Sequence, residues 1–156
     1  MPSTSIKKNI NCPKKDLINI VLDIEKYPEF VPWCTDSKIY ESKIKENIIE
    51  ITAELTIGKG FIKDKYKSFV IYNKILDTID VTNIGGPLKH LTNKWNFRET
   101  DNSTQVDFHV NFELKNSLLN VLMSKWFDIG AKRIADAFLK RVNEISKQTT
   151  ESTNSR

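Results

Sequence analysis

Residues Val106–Leu114 alternate strictly between apolar and polar side chains, and this period of two constrains the fold more than any other feature of the chain. Val106, Phe108, Val110, Phe112 and Leu114 fall on one face of a strand, and polar residues fall on the other. Similar patterns predict five further strands: Thr4–Asn11, Ile49–Ile57, Phe61–Tyr72, Ile75–Asn83 and Leu91–Phe97. Their short connections predict antiparallel pairing, because a parallel crossover needs about a dozen residues or more. The apolar face of such a sheet requires a cover.

Two short helices are predicted directly after the first strand. Pro13 suits the first position of a helix, with Cys12 as its cap, and apolar residues follow at helical spacing over Lys14–Ile24. Tyr27-Pro28 and Val31-Pro32 bracket a second, very short helix, because proline favours the start of a helix and ends its interior.

The last predicted element is a helix of roughly 45 Å that begins at Asn116 or Ser117 and ends near Lys147. Gly130 lies inside it, which indicates either a bend or the close approach of another group. The residues expected on its buried stripe are Leu119, Leu122, Trp126, Ile129, Ala137, Arg141 and Ile145.

The predicted order is strand, two helices, six strands, long helix, and one of the six later strands is not assigned to particular residues. The expected fold class is α+β, with a curved antiparallel sheet of about seven strands around the long C-terminal helix. Residues 1–147 form one domain in this interpretation. Residues 148–156 form a flexible polar tail, because this stretch has no apolar surface to bury.

Composition excludes several classes of protein. No apolar run reaches the roughly 18–20 residues of a membrane span, and Met1–Ile10 has no secretory apolar core. Cys12 and Cys34 are expected to be free thiols, and with only two histidines, at unsuitable spacing, no metal site is predicted. We therefore expect a cytoplasmic protein, or one bound peripherally to the inner face of a bacterial membrane. In a eukaryote the equivalent place is the matrix side of the mitochondrial inner membrane.

Several large apolar residues are candidates for lining a cavity between sheet and helix. Phe30 and Trp33 either plug the edge of the core or line the mouth of the cavity. The inward-facing aromatic residues are either simple core or cavity wall, and only the wide curvature of such a sheet favours a cavity. The full set of candidate cavity residues is Phe30, Trp33, Tyr66, Trp95, Phe97, Phe108, Phe112, Leu119, Leu122 and Trp126.

The surface offers fewer candidates. The apolar turn Leu118–Met123 is either buried against loops or meets a membrane or partner. Asp107, His109 and Asn111 share the polar face of one strand, and no set of residues typical of acid–base or nucleophilic catalysis is present. No catalytic residue is predicted. The net charge of +4 reflects either a compositional bias of the source genome or attraction to an acidic surface of lipid headgroups or RNA.

The segment Tyr27–Cys34 resembles the Y-x-x-F-[VL]-P-W-C motif of coenzyme Q-binding START-domain proteins. The stretch Gly86–Phe97 resembles their second signature, and Val106–Leu114 followed by Leu118-Leu119 resembles their third. The resemblance covers nearly all of Ser5–Ile145. It places the chain in the polyketide cyclase/dehydrase-like branch of the START superfamily, which implies a helix-grip fold.

This resemblance implies a function that composition alone does not. Eukaryotic members bind ubiquinone and support respiratory electron transport without catalysing a reaction, and no cofactor is required. A closely similar bacterial group is named for ribosome association and translation inhibition. The large ribosomal subunit is therefore a second candidate partner. An aromatase- or cyclase-type enzyme is a third alternative, and DNA is not expected as a partner. In the leading hypothesis an isoprenoid tail lies between sheet and helix, with its headgroup beside Trp33 and the Gly85–Leu88 loop.

Overall fold

The fold is given by a computed structural model that describes residues 3–59, 62–84, 88–101, 103–115 and 129–145. Strand β1 (Ser3–Ile10) is followed by helix α1 (Lys14–Leu22) and a 3-10 helix (Ile24–Glu29). Six strands come next: β2 (Cys34–Lys45), β3 (Ile48–Lys59), β4 (Ile62–Asn73), β5 (Thr78–Ile84), β6 (Leu88–Thr100) and β7 (Ser103–Leu114). Residues 129–145 are helical and form the described part of helix α2.

The seven strands form one curved antiparallel sheet in the order β1-β7-β6-β5-β4-β3-β2. Every neighbouring pair except β1 and β7 is consecutive in sequence, as short hairpin connections require. The register places apolar side chains of successive strands opposite one another. One such row on the concave face reads Ile49, Tyr72, Ile79, Trp95, Phe108, Ile6 across six strands. The predicted α+β fold, with about seven strands and a C-terminal helix, is confirmed.

The core lies between the concave face of the sheet and both helices. Helix α1 buries Leu17, Ile18, Ile20 and Val21, and α2 buries Ala131, Phe138 and Val142 in the same cluster. Each large apolar side chain buried in this way contributes roughly 1.5–3 kcal/mol. Phe138 contacts Trp95 of β6 with ring centroids 5.3 Å apart, so α2 is held directly against the middle of the sheet.

Three predictions about the helices are wrong in detail. Pro13 is the residue before α1 rather than its first helical residue, and no side chain caps the helix. Helix α1 ends at Leu22, and Ile24 already begins the 3-10 helix. Pro28 lies inside that 3-10 helix instead of opening a later one.

Two apolar residues of the predicted elements, Ile75 at the start of a strand and Ile129 on the buried stripe of the last helix, are exposed. Ile75 lies in the turn before β5, which begins at Thr78, and is 70% exposed. Ile129 is 50% exposed because the buried stripe of α2 passes through Ala131 and Phe138, a different phase of the helix from the predicted one. The sequence pattern also assigned no residues to β2. This edge strand is mostly exposed, and its register shifts twice, so it lacks a clear period of two.

Candidate ligand-binding site

The end of the concave face that lies against α1 is packed solid by aromatic rings. Trp95, Phe97 and Phe108 are all buried, and the Trp95 centroid lies 4.5 Å from that of Phe108 and 6.1 Å from that of Phe97. The gap that these rings share with α1 and α2 has a volume of about 40 Å³. Ligand pockets measure roughly 300–1,000 Å³, so this gap is too small for a lipid. Three of the candidate cavity residues therefore stand in the closed part of the core.

Further along the strands, the same concave face is only partly covered. Ile57, Tyr66, Val81 and Leu91 face inward by register, yet each is only half-buried. Their inward neighbours Leu55 and Val70 are buried. The part of the sheet that carries Tyr66 and Leu91 thus presents accessible apolar side chains on its inner face.

Trp33 stands at this open end, directly before β2. Its backbone has a φ of 65°, in the left-handed region that costs a bulky residue of order 1–3 kcal/mol. The Trp33 carbonyl accepts a hydrogen bond from the Gly58 N–H at 2.9 Å, which holds the turn in place. The side chain is 39% exposed and lies over α2: a methyl group placed at Gly130 would be 3.8 Å from its Cζ3 atom. The strained backbone therefore presents the indole ring to Gly130 and to solvent.

Phe30 belongs to a second aromatic group that ties the 3-10 helix to α2. Its ring meets Phe138 edge-on at 5.1 Å and Tyr27 at 5.9 Å. The Arg141 guanidinium lies 5.2 Å from the Phe30 centroid and also pairs with Glu29 at 3.6 Å. Phe30 is half-buried in this group. Its ring therefore contributes to packing, and it lies three residues before Trp33 in the chain.

Burial favours the neutral forms of Tyr66 and Cys34 at the open end, whereas the charged Arg141–Glu29 pair lies beside Phe30. Burial raises the pKa of Tyr66 to about 12 and raises the pKa of the Cys34 thiol. Burial also raises the pKa of Tyr27, whose hydroxyl donates to the Val21 carbonyl. In the described part of the chain, no group of three or more His, Cys, Asp or Glu residues is placed to hold a metal ion. A neutral phenol and a neutral thiol are compatible with an apolar ligand.

Sequence reasoning missed three polar residues on the concave face. Ser68 and Asn83 lie directly opposite each other on β4 and β5, and Asn93 lies on β6 between Leu91 and Trp95. The available signal was the alternation of β6 itself, which puts Asn93 on the same face as Leu91, Trp95 and Phe97.

Several predicted features lie outside the described residues. These are Leu119, Leu122 and Trp126, the Leu118–Met123 turn, the start of the long helix, the glycines of the Gly85–Leu88 loop and the 148–156 tail. Phe112 lies in β7 opposite Leu91, and only its backbone is described. His109 is exposed on the outer face and hydrogen-bonds Ser5 at 2.6 Å. In the ranges that are described, no helix has the length and apolar character of a membrane span.

Comparison with known proteins agrees with this geometry. The family model described as polyketide cyclase / dehydrase and lipid transport matches residues 10–139. The chain belongs to this family. A START superfamily protein of Mycobacterium smegmatis has the same fold, with a TM-score of 0.77, 16% identity, and coverage of 92% of this chain and 98% of that one. The predicted membership of the polyketide cyclase/dehydrase-like family is confirmed.

Two relatives of the chain carry different names. The chain is 37% identical over 139 residues to the ribosome association toxin RatA of Rickettsia prowazekii, covering 86% of this chain and 91% of the relative. It is 31% identical over 143 residues to the mitochondrial coenzyme Q-binding protein COQ10 of Dictyostelium discoideum, covering 88% and 67%. Both groups of relatives that the sequence motifs predicted are therefore found.

Proposed function

We propose that this protein binds a prenylated quinone, of which ubiquinone is the leading candidate, and holds it without chemical conversion in support of respiratory electron transport. The prenyl tail lies on the half-buried inner face formed by Ile57, Tyr66, Val81 and Leu91. The headgroup lies toward Trp33. No cofactor is needed for this activity, because binding alone protects the apolar ligand from water.

One observation carries the proposal. Inward apolar side chains at the Trp33 end are only half-buried, and the aromatic rings at the α1 end leave a gap of only about 40 Å³. Leaving such residues uncovered is unfavourable by roughly 25 cal/mol per Å², and an apolar guest recovers that free energy. The similarity to a coenzyme Q-binding protein and to a lipid transport family supports a quinone as this guest.

A substitution that fills the accessible region tests the proposal. Val81 is half-buried and faces inward, whereas the adjacent Thr82 is exposed on the outer face of β5. Titration of a short-chain prenylated benzoquinone, followed by quenching of tryptophan emission, should show saturable binding to the wild-type protein. Val81→Phe should weaken binding at least tenfold, and the matched control Thr82→Phe should leave it unchanged. Equal affinities in all three proteins would contradict the proposed site.

Ribosome association is the second candidate, and the 37% identity to a ribosome association toxin favours it. Lys132, Arg133 and Lys140 are exposed on α2 and available to contact rRNA phosphates. If the protein binds the large subunit, cosedimentation should weaken steeply with salt and be lost when these three residues are changed to Glu. A control with Lys7, Lys63 and Lys94 changed to Glu has the same net charge and should retain binding. Absence from ribosome fractions at low salt would exclude this function.

A further inference from the structure

Tyr40 is an exposed aromatic residue on the outer, convex face of the sheet. The pairing register of β2 and β3 shifts at this residue, and such a bulge often redirects a side chain. The Tyr40 ring is 50% exposed, and its hydroxyl donates to the Glu54 carboxylate at 3.1 Å. Glu54 lies between the buried Ala53 and Leu55 on β3, so its side chain faces outward. The bulge and this hydrogen bond hold the Tyr40 ring on the outer face.

Two lysine side chains converge on the Tyr40 ring. Lys38 of β2 and Lys67 of β4 lie opposite Glu54 on either side of it, and their Nζ atoms lie 5.0 and 5.3 Å from the ring centroid. Among the described residues, neither ammonium group has a carboxylate oxygen within 4 Å. The other two lysines of β2 both pair with carboxylates, at 3.4 and 3.3 Å. Lys38 and Lys67 are therefore available to an anion from outside the chain.

Apolar and basic side chains surround this group on the outer face. Phe69, two residues after Lys67, is half-buried, and Ile84, opposite Lys67 on β5, is 48% exposed. Lys65, two residues before Lys67, is exposed on the same face. These side chains form one surface, called the Tyr40 patch, which consists of Lys38, Tyr40, Lys65, Lys67, Phe69 and Ile84.

The Tyr40 patch suits a polymer that carries both negative charge and flat rings. Its three lysines outnumber the neighbouring carboxylates Asp36 and Glu54. Exposed cation–π contacts are weak, so a phosphate can draw the ammonium groups off the Tyr40 ring and leave a face on which a base can stack. RNA presents unpaired bases in its loops and single strands. A bilayer suits the patch less well, because Tyr40 is tied to Glu54 and Phe69 is half-buried, so both rings lie along the sheet.

We propose that the Tyr40 patch binds single-stranded RNA, with Lys38 and Lys67 contacting phosphate groups and the Tyr40 ring stacking on a base. The patch lies on the opposite side of the sheet from the inner face assigned to the quinone. It is also separate from the α2 surface that carries Lys132 and Lys140. The proposal therefore depends on neither of the functions proposed above.

Fluorescence anisotropy of a fluorescein-labelled oligouridylate, titrated with the full chain at low salt, tests the role of the ring. Wild-type protein should show saturable binding. Tyr40→Leu should weaken binding about tenfold, which is the effect of losing one stacked base. Tyr40→Phe keeps the ring and should bind within about twofold of wild type. Circular dichroism should show the same folded spectrum for wild type and both variants.

The salt dependence of binding tests the role of the two lysines. Each phosphate contact to a single strand contributes about 0.7 to the slope of log K against log salt concentration, so Lys38→Gln/Lys67→Gln should reduce the slope by about 1.4. The matched control Lys7→Gln/Lys15→Gln removes the same charge from exposed positions on β1 and α1 and should keep the wild-type slope.

Three results would refute the assignment. The first is no binding to wild-type protein at low salt, and the second is equal affinity in wild type and Tyr40→Leu. The third is tighter binding of a duplex RNA of the same length, since a duplex offers no unpaired base to the ring. If vesicles of acidic phospholipid bind through Lys38 and Lys67 and the oligonucleotide does not, the partner is a lipid surface and the RNA proposal is wrong. The quinone proposal stands in each of these cases.

Discussion

The indole ring of Trp33 packs over Gly130, so the strained turn before β2 and the long helix α2 meet at a position where no side chain intervenes. A methyl group at Gly130 would lie 3.8 Å from Cζ3 and 3.9 Å from Cη2 of Trp33, which is an ordinary van der Waals distance. The indole ring of Trp33 therefore packs close to the backbone of Gly130. This contact connects the open end of the sheet to the helix that covers it.

Gly130→Ala is expected to stabilise the protein without moving Trp33. Alanine favours a helix interior over glycine by about 1 kcal/mol, and its methyl group fits at van der Waals distance. Chemical denaturation should show a higher free energy of unfolding, with tryptophan emission unchanged. Ala137→Gly, on the same helix, is the control and should lower the free energy of unfolding by about 1 kcal/mol. Gly130→Leu, in contrast, should displace the Trp33 ring and shift its emission. A destabilised Gly130→Ala protein would show that the contact is tighter than described.

Thr104→Val should destabilise the protein by about 1 kcal/mol or more. Thr104 is completely buried, and its hydroxyl donates to the Cys12 carbonyl at 2.7 Å, which links β7 to the turn before α1. Valine preserves the volume and removes this donor, so the loss measures the hydrogen bond. The measurement is urea denaturation, with the exposed Thr82→Val as the control that should change stability by less than about 0.5 kcal/mol. Equal stability of Thr104→Val and wild type would contradict the role of this bond.

Stability should decline at alkaline pH because of Tyr66. Burial raises the pKa of Tyr66 to about 12 from an ordinary value of 10.0. The folded state therefore favours the protonated phenol, and this stabilisation is complete below the pKa of the unfolded chain and is lost as pH rises through about 12. The free energy of unfolding, measured in steps above pH 9, should fall less steeply in Tyr66→Phe. Identical slopes in the variant and the wild type would rule out this cause.

Cys34 should react slowly with alkylating reagents in the folded protein. Its side chain is 6% exposed, its Sγ contacts the Asp36 carbonyl at 3.6 Å, and burial raises the pKa of the thiol. Both low access and a small thiolate fraction reduce the rate. In a Cys12→Ala background, iodoacetamide labelling at pH 8 should be much slower than in urea, where the unfolded chain is the control. Labelling at equal rates in both conditions would contradict the burial of Cys34.

The period of two in the sequence predicted β7 and most of β3 because each of these strands has one face toward solvent and one buried face. Edge strand β2 gave no such signal, since Glu41, Lys43 and their neighbours are exposed on both faces. The phase of α2 was wrong at Ile129, because the observed buried stripe runs through Ala131, Phe138 and Val142. Pattern alone identifies an apolar stripe but not which neighbour it meets.

The candidate site was only partly predictable for a related reason. Trp95 and Phe108 were correctly expected to face inward, but their mutual packing depends on register across strands and on Phe138 from α2. The ring of Trp33 is exposed because its backbone adopts a left-handed conformation. No local sequence pattern predicts that conformation. Asn93 was visible as a break in the apolar alternation of β6, and only the structure shows that its Oδ1 atom is buried.

Extraction of the protein's own ligand tests the central claim most directly. Protein purified from its native host under mild conditions should release a prenylated quinone into organic solvent, detected by mass spectrometry at close to one molecule per chain. The Val81→Phe protein prepared in the same way should carry much less, and Thr82→Phe should carry as much as wild type. An extract of wild-type protein that contains no quinone or other prenylated lipid would contradict the account.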